Sequence, residues 1–339
     1  MATIKEIAKK VGVSPSTVSR VISDDARISE ETKKKVRKIM EELKYHPNAI
    51  ARSLVSKSTK TIGIIMPYSA DQAFMNPFFS EALRGIAKCT YNQGYCLLIT
   101  NGVTKKEQIN SVYSLVMGRR VDGIILMYSK ENDPVLKELQ NMDIPFCMIG
   151  RPVDNKNITY VDNDNIEAAY KATEYLIEKG HKSIALLNGS MNLTVSADRY
   201  EGYKKALEEN NLSLNDELIV SVEFLQEDGY KGMKKILNSK IKPSAVIATD
   251  DLMAYGAMRA IGEIGYKIPE DISIIGFNNI PLSEFLFPPL TSVDINTYQI
   301  GASAAQLLLE NVKGEVRANR KIVDTKIIYR KSVCEYKKS

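Results

Sequence analysis

The sequence predicts an α/β protein: an N-terminal all-α headpiece of helix-turn-helix type, followed by a two-lobed core of doubly wound parallel sheets. Three observations carry this. Residues 3–43 place apolar side chains at helical spacing, interrupted by short turns. From residue 61 the pattern changes to short Val- and Ile-rich runs alternating with helical stretches, as parallel strands covered on both faces require. Charge divides at the same place. Residues 1–60 hold 14 Lys/Arg and 7 Asp/Glu (+7), while the remaining 279 hold 32 and 34 (−2). A basic head suited to a polyanion is thus joined to a body that is not.

The head opens with Thr3-x-x-Glu6, a capping box, and Ile4, Ile7, Ala8 and Val11 follow on one helical face. Gly12 is free to take the positive φ that ends such a helix. In "VSPSTVSRVI", Ser14 fits the N-cap of a second helix and Pro15 its first position, where a missing N–H costs nothing. Val18, Val21 and Ile22 make its buried face. A third helix starts near Ser29, with Ile28 placed as a hydrophobic staple. It turns Val36, Ile39, Met40 and Leu43 inward and Lys33, Lys34, Lys35, Arg37 and Lys38 largely outward. Two short helices around a tight turn, with a third behind, form a helix-turn-helix. The free side of the second helix carries Pro15, Ser16, Thr17, Ser19 and Arg20. Small hydroxyls there, with Thr3 and Ser14 at the helix starts, let the backbone approach DNA and bond phosphate oxygens. Arg20 suits guanine O6 and N7 in the major groove.

After Tyr45-His46-Pro47, Asn48 is a good N-cap, and Ala49 to Val55 favour two helical turns, too short to be stable alone in water. The polar run Ser56 to Lys60 then leads into the body. The domains expected are a headpiece at 1–47, a hinge at 48–60 and a core at 61–339.

The stretches "TIKEIAKKVGVSPSTVSRVIS" and "ISEETKKKVRKIMEELKYHPNAIARSL" resemble the headpiece of the LacI/GalR family of bacterial transcriptional regulators, continuously over about 60 residues. The resemblance implies that Pro15, Ser16 and Arg20 read bases. Pro15 departs from the donor-bearing residues common there and offers only an apolar contact. The resemblance also implies paired hinge helices in the minor groove of an inverted-repeat operator, with Leu54 as the wedge, Arg52 on phosphate and Asn48 at the helix start. Kinking the duplex this way costs a few kcal/mol, recovered through new contacts.

In the body, "TIGIIMP", "YCLLITN", "VDGIILM", "PFCMIG", "SIALLN", "LIVSV", "AVIAT" and "ISIIGF" read as strands. Helices are expected between them, from about Phe78 to Gly94, from about Lys105, and over "DLMAYGAMRAIGEIG". The whole of 61–339 resembles the periplasmic-binding-protein-like core of the same family, whose chain crosses between lobes three times. Matching positions fall near 161, 290 and 323, giving an N-lobe at about 61–161 and 291–323 and a C-lobe at about 162–290 and 324–339. Ligands in such folds sit at the carboxyl ends of strands. The candidates are therefore Tyr68 and the run Asn76-Pro77-Phe78-Phe79, then Arg151, Arg199 within Asp198-Arg199-Tyr200, Asp250, and Asn278. Hydrogen-bonding groups with aromatics suit a sugar. Asp251 fits the cap of the helix that follows, leaving Asp250 for ligand, and one of Phe78 and Phe79 is expected in the core. Asn278 stands where many family members carry Asp, so the charge that strengthens hydroxyl recognition is missing there.

Composition excludes several classes. No apolar run approaches the roughly 18 residues of a membrane span. "MATIKEIAKK" has no apolar leader core, so a cytoplasmic protein is expected. Cys89, Cys96, Cys147 and Cys334 lack metal or redox spacing and read as reduced thiols. The only histidines are His46 and His181, and there is no Cys/His cluster, nucleophile elbow or P-loop. No catalysis, cofactor or metal is expected, and His181 is read as structural. The expected partners are double-stranded DNA, a small sugar and a second copy of the chain, with no membrane. Within the family, "IGRP", "TDDLMAYGAM" and "GFNNIPLSEFLFPPLTSV" resemble Gram-positive maltose-operon repressors. That resemblance implies maltose or a maltodextrin as effector. The alternatives are a global carbon-catabolite regulator using a phosphorylated carrier protein, or a regulator for another sugar.

Overall fold

The computed structural model describes residues 2–45, 58–67, 70–153, 157–315 and 319–336. Two compact units, divided after Thr59, are each described by themselves.

The head is three helices, α1 (Ile4–Val11), α2 (Pro15–Ile22) and α3 (Glu30–Glu42), around buried Ile7, Ala8, Val18, Val21 and Val36. Each helix begins on the predicted hydroxyl cap. Thr3 accepts the Glu6 N–H while Glu6 accepts that of Thr3, and Ser14 and Ser29 cap α2 and α3. Gly12 ends α1 at φ 77°. One expectation fails. Lys33 points inward, its side chain 7% exposed, with Nζ 3.1 Å from Asp24 and 3.0 Å from Glu30. A lysine lays its methylenes along the helix packing and pairs its ammonium at the edge.

The body holds two six-stranded sheets. The first contains β1 (Thr61–Ile65), β2 (Cys96–Thr100), β3 (Gly123–Leu126), β4 (Phe146–Ile149), β5 (Tyr160–Asp162) and β11 (Arg320–Ile322), in the order β11-β5-β4-β3-β1-β2, all parallel. The second contains β6 (Ile184–Asn188), β7 (Ile219–Ser221), β8 (Ala245–Ala248), β9 (Ser273–Phe277), β10 (Thr291–Asp294) and β12 (Lys326–Ile328). Its order is β12-β10-β9-β8-β6-β7, with only β12 antiparallel. Around the first sheet lie α4 (Ala70–Met75), α5 (Pro77–Asn92), α6 (Lys105–Val116), α7 (Pro134–Gln140) and α12 (Thr297–Val312). Around the second lie α8 (Asn165–Glu178), α9 (Thr194–Glu209), α10 (Gln226–Leu237) and α11 (Asp251–Glu263). The central strands are buried along their whole length, which explains their unbroken apolar runs.

The chain passes between sheets after β5, β10 and β11. Residues 291–294 pair within the second sheet, so the middle crossing lies beyond 294 and not near 290. Asn163, on the first crossing, donates from Nδ2 to Ile295 O at 3.0 Å and Val323 O at 2.7 Å, tying all three crossing segments together.

Candidate functional site

In the head, the residues singled out on α2 share one open surface. Ser14, Pro15, Ser16, Ser19 and Arg20 are exposed and Thr17 is half-buried. Ser14 Oγ lies 2.8 Å from Ser16 Oγ and 2.9 Å from Thr17 Oγ1, so three hydroxyls cluster over the N-terminus of α2. There the first-turn N–H groups and the helix dipole favour an anion. Arg20 is exposed about one turn beyond Thr17. Thr3 is also exposed, its hydroxyl engaged in the α1 cap. Asn48, Arg52 and Leu54 lie outside the described residues, as does Tyr68.

In the body, a cavity of about 110 Å³ lies between the two sheets. Residues at and just beyond the strand ends build it. The first lobe sends Pro67 after β1, Tyr128 and Ser129 after β3, Gly150 after β4 and Asp162 at the end of β5. The second sends Thr194 after β6, Phe224 after β7, Asp250 after β8 and Asn278 after β9. Both sheets therefore aim their carboxyl edges at one space, the position a doubly wound sheet reserves for ligands.

Asp250 is the N-cap of α11, its Oδ1 accepting the Leu252 N–H at 2.7 Å. Its Oδ2 accepts from Asn76 Nδ2 at 3.0 Å and Asn278 Nδ2 at 2.8 Å. Asn76 in turn caps α5 in the other lobe, with Oδ1 on the Phe78 N–H at 2.9 Å. A carboxylate of one lobe is thus clasped by an amide of the other. Of the roles expected for the two aspartates, Asp250 keeps its place in the cavity, but the cap is not Asp251. Asp250 is the cap, and Asp251, the first residue of α11, buries its carboxyl beneath the site. Asp251 accepts from Ile280 N–H at 2.9 Å, Ser283 Oγ at 2.7 Å and Ser292 Oγ at 2.7 Å. Burial outweighs these donors and pushes its pKa up to about 7.

Arg199 lines the cavity from α9, 4% exposed. Nε donates to Asn165 Oδ1 at 3.0 Å and an Nη to Thr249 O, and the guanidinium stands 4.5 Å from the centroid of the Phe277 ring. Burial lowers its pKa to about 10, opposed by Asp250, Asp162 and Asp198, so it stays charged at neutral pH. Asp162 accepts the N–H groups of Arg151 and Asn163 at 2.8 Å each and Asn165 Nδ2 at 2.9 Å, yet burial pushes it up to about 6. Phe78 and Phe79 both face the cavity, edge to face with centroids 5.2 Å apart, and Phe79 is the more buried.

Arg151, like Pro77 but unlike the other described effector candidates, does not line the cavity. Its guanidinium forks onto Asp198 of α9, with Nε donating to Oδ2 at 2.7 Å. It holds the lobes together at the cavity's edge. His181 is buried, with Nδ1 3.1 Å from Ser244 Oγ and Nε2 3.2 Å from Cys334 O, away from the cavity. The residues missed as site candidates include Tyr128, Ser129, Gly150, Asp162, Asn163, Asn165, Thr194 and Phe224. The "VDNDN" run, which ends β5 and leads out of it, was a usable signal, since Asp and Asn residues clustered at a buried strand end need partners. Nothing local marked Phe224.

Among the described residues no group of His, Cys, Asp and Glu is placed to hold a metal ion. No helix among them is long and apolar enough to cross a membrane.

Comparison with known proteins agrees with this geometry. The family model for bacterial regulatory proteins of the lacI family matches residues 3–48, and that for a periplasmic binding protein-like domain matches residues 173–333. The chain is 39% identical over 332 residues to the HTH-type transcriptional regulator MalR of Streptococcus pneumoniae, covering 98% of each. It is similar in structure to the lac repressor dimer bound to operator and an anti-inducer, with TM-score 0.87, 26% identity and coverage of 98% of this chain and 99% of that one. A probable maltose operon transcriptional repressor from Staphylococcus aureus is also similar, with TM-score 0.73, 30% identity and coverage of 81% and 98%.

Proposed function

Because the chain belongs to the lacI family of bacterial regulatory proteins, we propose that it is a cytoplasmic, non-enzymatic repressor of sugar-use genes, tuned by maltose or a maltodextrin held between its core lobes. The cavity carries this reading. Arg199, Asp250 and Asn278 present charged and amide groups to hydroxyls, while Phe78 and Phe224 offer apolar cover for a sugar ring. The similarity to regulators named for maltose use supports the sugar class.

The mechanism follows from the architecture. A homodimer sets two heads on the half-sites of an inverted repeat, as twofold symmetry requires. Ser16, Ser19 and Arg20 of each head face the major groove. In each core, sugar hydroxyls compete for Asp250, which is shared between Asn76 of one lobe and Asn278 of the other. A ligand that changes this clasp changes the angle between lobes, and with it the spacing of the two hinges on DNA. A coupling of about 1–3 kcal/mol suffices for a 5- to 150-fold change in operator affinity.

The test selects an operator from a random pool of inverted repeats and titrates maltose against the complex by fluorescence anisotropy. A shift of at least fivefold in operator affinity is expected. Indifference to glucose, maltose and maltotriose alike would overturn the sugar effector.

A further inference from the structure

Along one edge of the cavity the two lobes meet in main chain. Ser129 of the first lobe and Thr194 of the second both line the cavity and are buried, whereas Lys130 and Asn192 close beside them are exposed. Between these residues the segments pair as an antiparallel bridge, Lys130 opposite Leu193. Glu131 N–H donates to Asn192 O at 2.9 Å and Thr194 N–H to Ser129 O at 3.2 Å. Here a single pair of chain segments stands between the cavity and solvent.

The bridge is short and belongs to neither sheet, so no ladder reinforces its two bonds. What reinforces it is a side-chain fork. Ser129 Oγ donates to Arg151 O at 2.6 Å, which fastens the first-lobe segment to Arg151. Gly150 permits that approach, because a Cβ there would lie 2.7 Å from Ser129 Cβ. The Arg151 guanidinium then crosses to Asp198, one helical turn beyond Thr194 on α9. A bidentate, charge-assisted pair is among the stronger polar contacts side chains make. The Asp198 side chain is 6% exposed, so solvent screens the pair weakly on that side. Neither Arg151 nor Asp198 lines the cavity. The fork therefore gives a ligand no contact of its own and acts only on whether the lobes are together.

We propose that this seam is a gate: the Arg151–Asp198 fork latches the lobes over the cavity, and effector enters and leaves when fork and bridge part together. Such a latch sets how fast effector exchanges and leaves its equilibrium affinity nearly untouched. The gate rests on the reading of the cavity as the effector site.

The test has two arms, both on the full-length protein. The first needs no ligand. Hydrogen–deuterium exchange is followed at the Glu131 and Thr194 N–H groups, whose bonds cross between the lobes, so their exchange reports local opening. Arg151→Met keeps a long side chain without its charge, and Asp198→Asn keeps the shape of the acid. Each is expected to speed exchange at both amides at least fivefold and to leave the central strands β3 and β8 as protected as in wild type. The second arm is stopped-flow tyrosine fluorescence with maltose, Tyr128 being in the cavity wall. Each variant is expected to raise the association and dissociation rates at least fivefold with Kd within about threefold of wild type. The double variant is expected to go no further than either single one, as for two residues acting as one pair. Unchanged exchange at the bridge amides, or unchanged maltose rates, in both variants overturns the gate. A weakened Kd at an unchanged association rate also overturns it, by making the pair part of the binding site. Failure of maltose to bind wild type overturns the maltose reading instead, and the gate is then decided by the exchange arm alone.

Discussion

Asp250 and Asp251 are chain neighbours with opposite surroundings. Asp250 faces the cavity and is shared between Asn76 and Asn278, whereas Asp251 looks into the second lobe, where two serine hydroxyls and a backbone N–H surround it. Gly276 makes room for it, since a Cβ there would sit 2.1 Å from Asp251 Oδ1. With a pKa raised to about 7, Asp251 binds its proton more tightly folded than unfolded. This group therefore favours the folded state fully below about pH 4, the ordinary aspartate range, and loses that contribution as pH rises through about 7. Denaturant midpoints between pH 4 and 8 are expected to fall more steeply for wild type than for Asp251→Asn. Equal slopes would show that Asp251 is ionised throughout. The sequence announced both aspartates as important, but it could not assign them. "TDDLMAYGAM" permits either to be the cap, and the choice turns on which carboxyl finds Ser283 and Ser292, 32 and 41 residues away.

At the scale of elements, the long helices and buried strands were legible because their apolar periods are unambiguous. Several short strands were legible too, but β5, β10, β11 and β12 were not. β5 and β11 have three residues each and β10 four, and β11 is exposed along its length, so no apolar run marks it. Helix contacts were equally hidden. α5 and α12 cross backbone to backbone, where a Cβ on Gly85 would lie 2.1 Å from Tyr298 O and one on Gly301 2.0 Å from Ala82 O. Neither glycine needs an unusual φ, so nothing in the local sequence shows why it is there. Gly301→Ala must push two helix backbones apart, at a cost of about 3 kcal/mol, the upper end for overpacking. Urea unfolding is expected to show that loss as a lower midpoint, whereas Gly262→Ala, with open space around its Cβ, should lose nothing.

Over the whole molecule, several polar ties join the two lobes of the body, which also share one apolar cluster. Asn163 bonds the other two crossings, Arg151 forks onto Asp198, and Asn76 clasps Asp250. Asn163→Ala strips the donor from Ile295 O and Val323 O. Operator affinity in the absence of sugar is expected to stay within about threefold of wild type, while the factor by which maltose shifts it drops at least fivefold. An undiminished factor in the same anisotropy titration would mean the crossings carry no coupling. Reciprocity makes the same prediction for the effect of operator on sugar affinity.

The sequence by itself determined the three-helix head with its hydroxyl caps, the two-lobed α/β body, the placing of ligand groups at strand ends, and the identity of Arg199, Asp250 and Asn278 as cavity residues. The head, the lobes and the strand-end groups come from local periodicity, capping chemistry and the fixed geometry of parallel sheets, and Arg199 from its position in the family resemblance. Only the tertiary structure decided that Arg151 turns aside to Asp198 and that Asp162 and Asn165 line the cavity beside Arg199. Those outcomes depend on partners far apart in the chain, and long-range juxtaposition leaves no trace in local pattern.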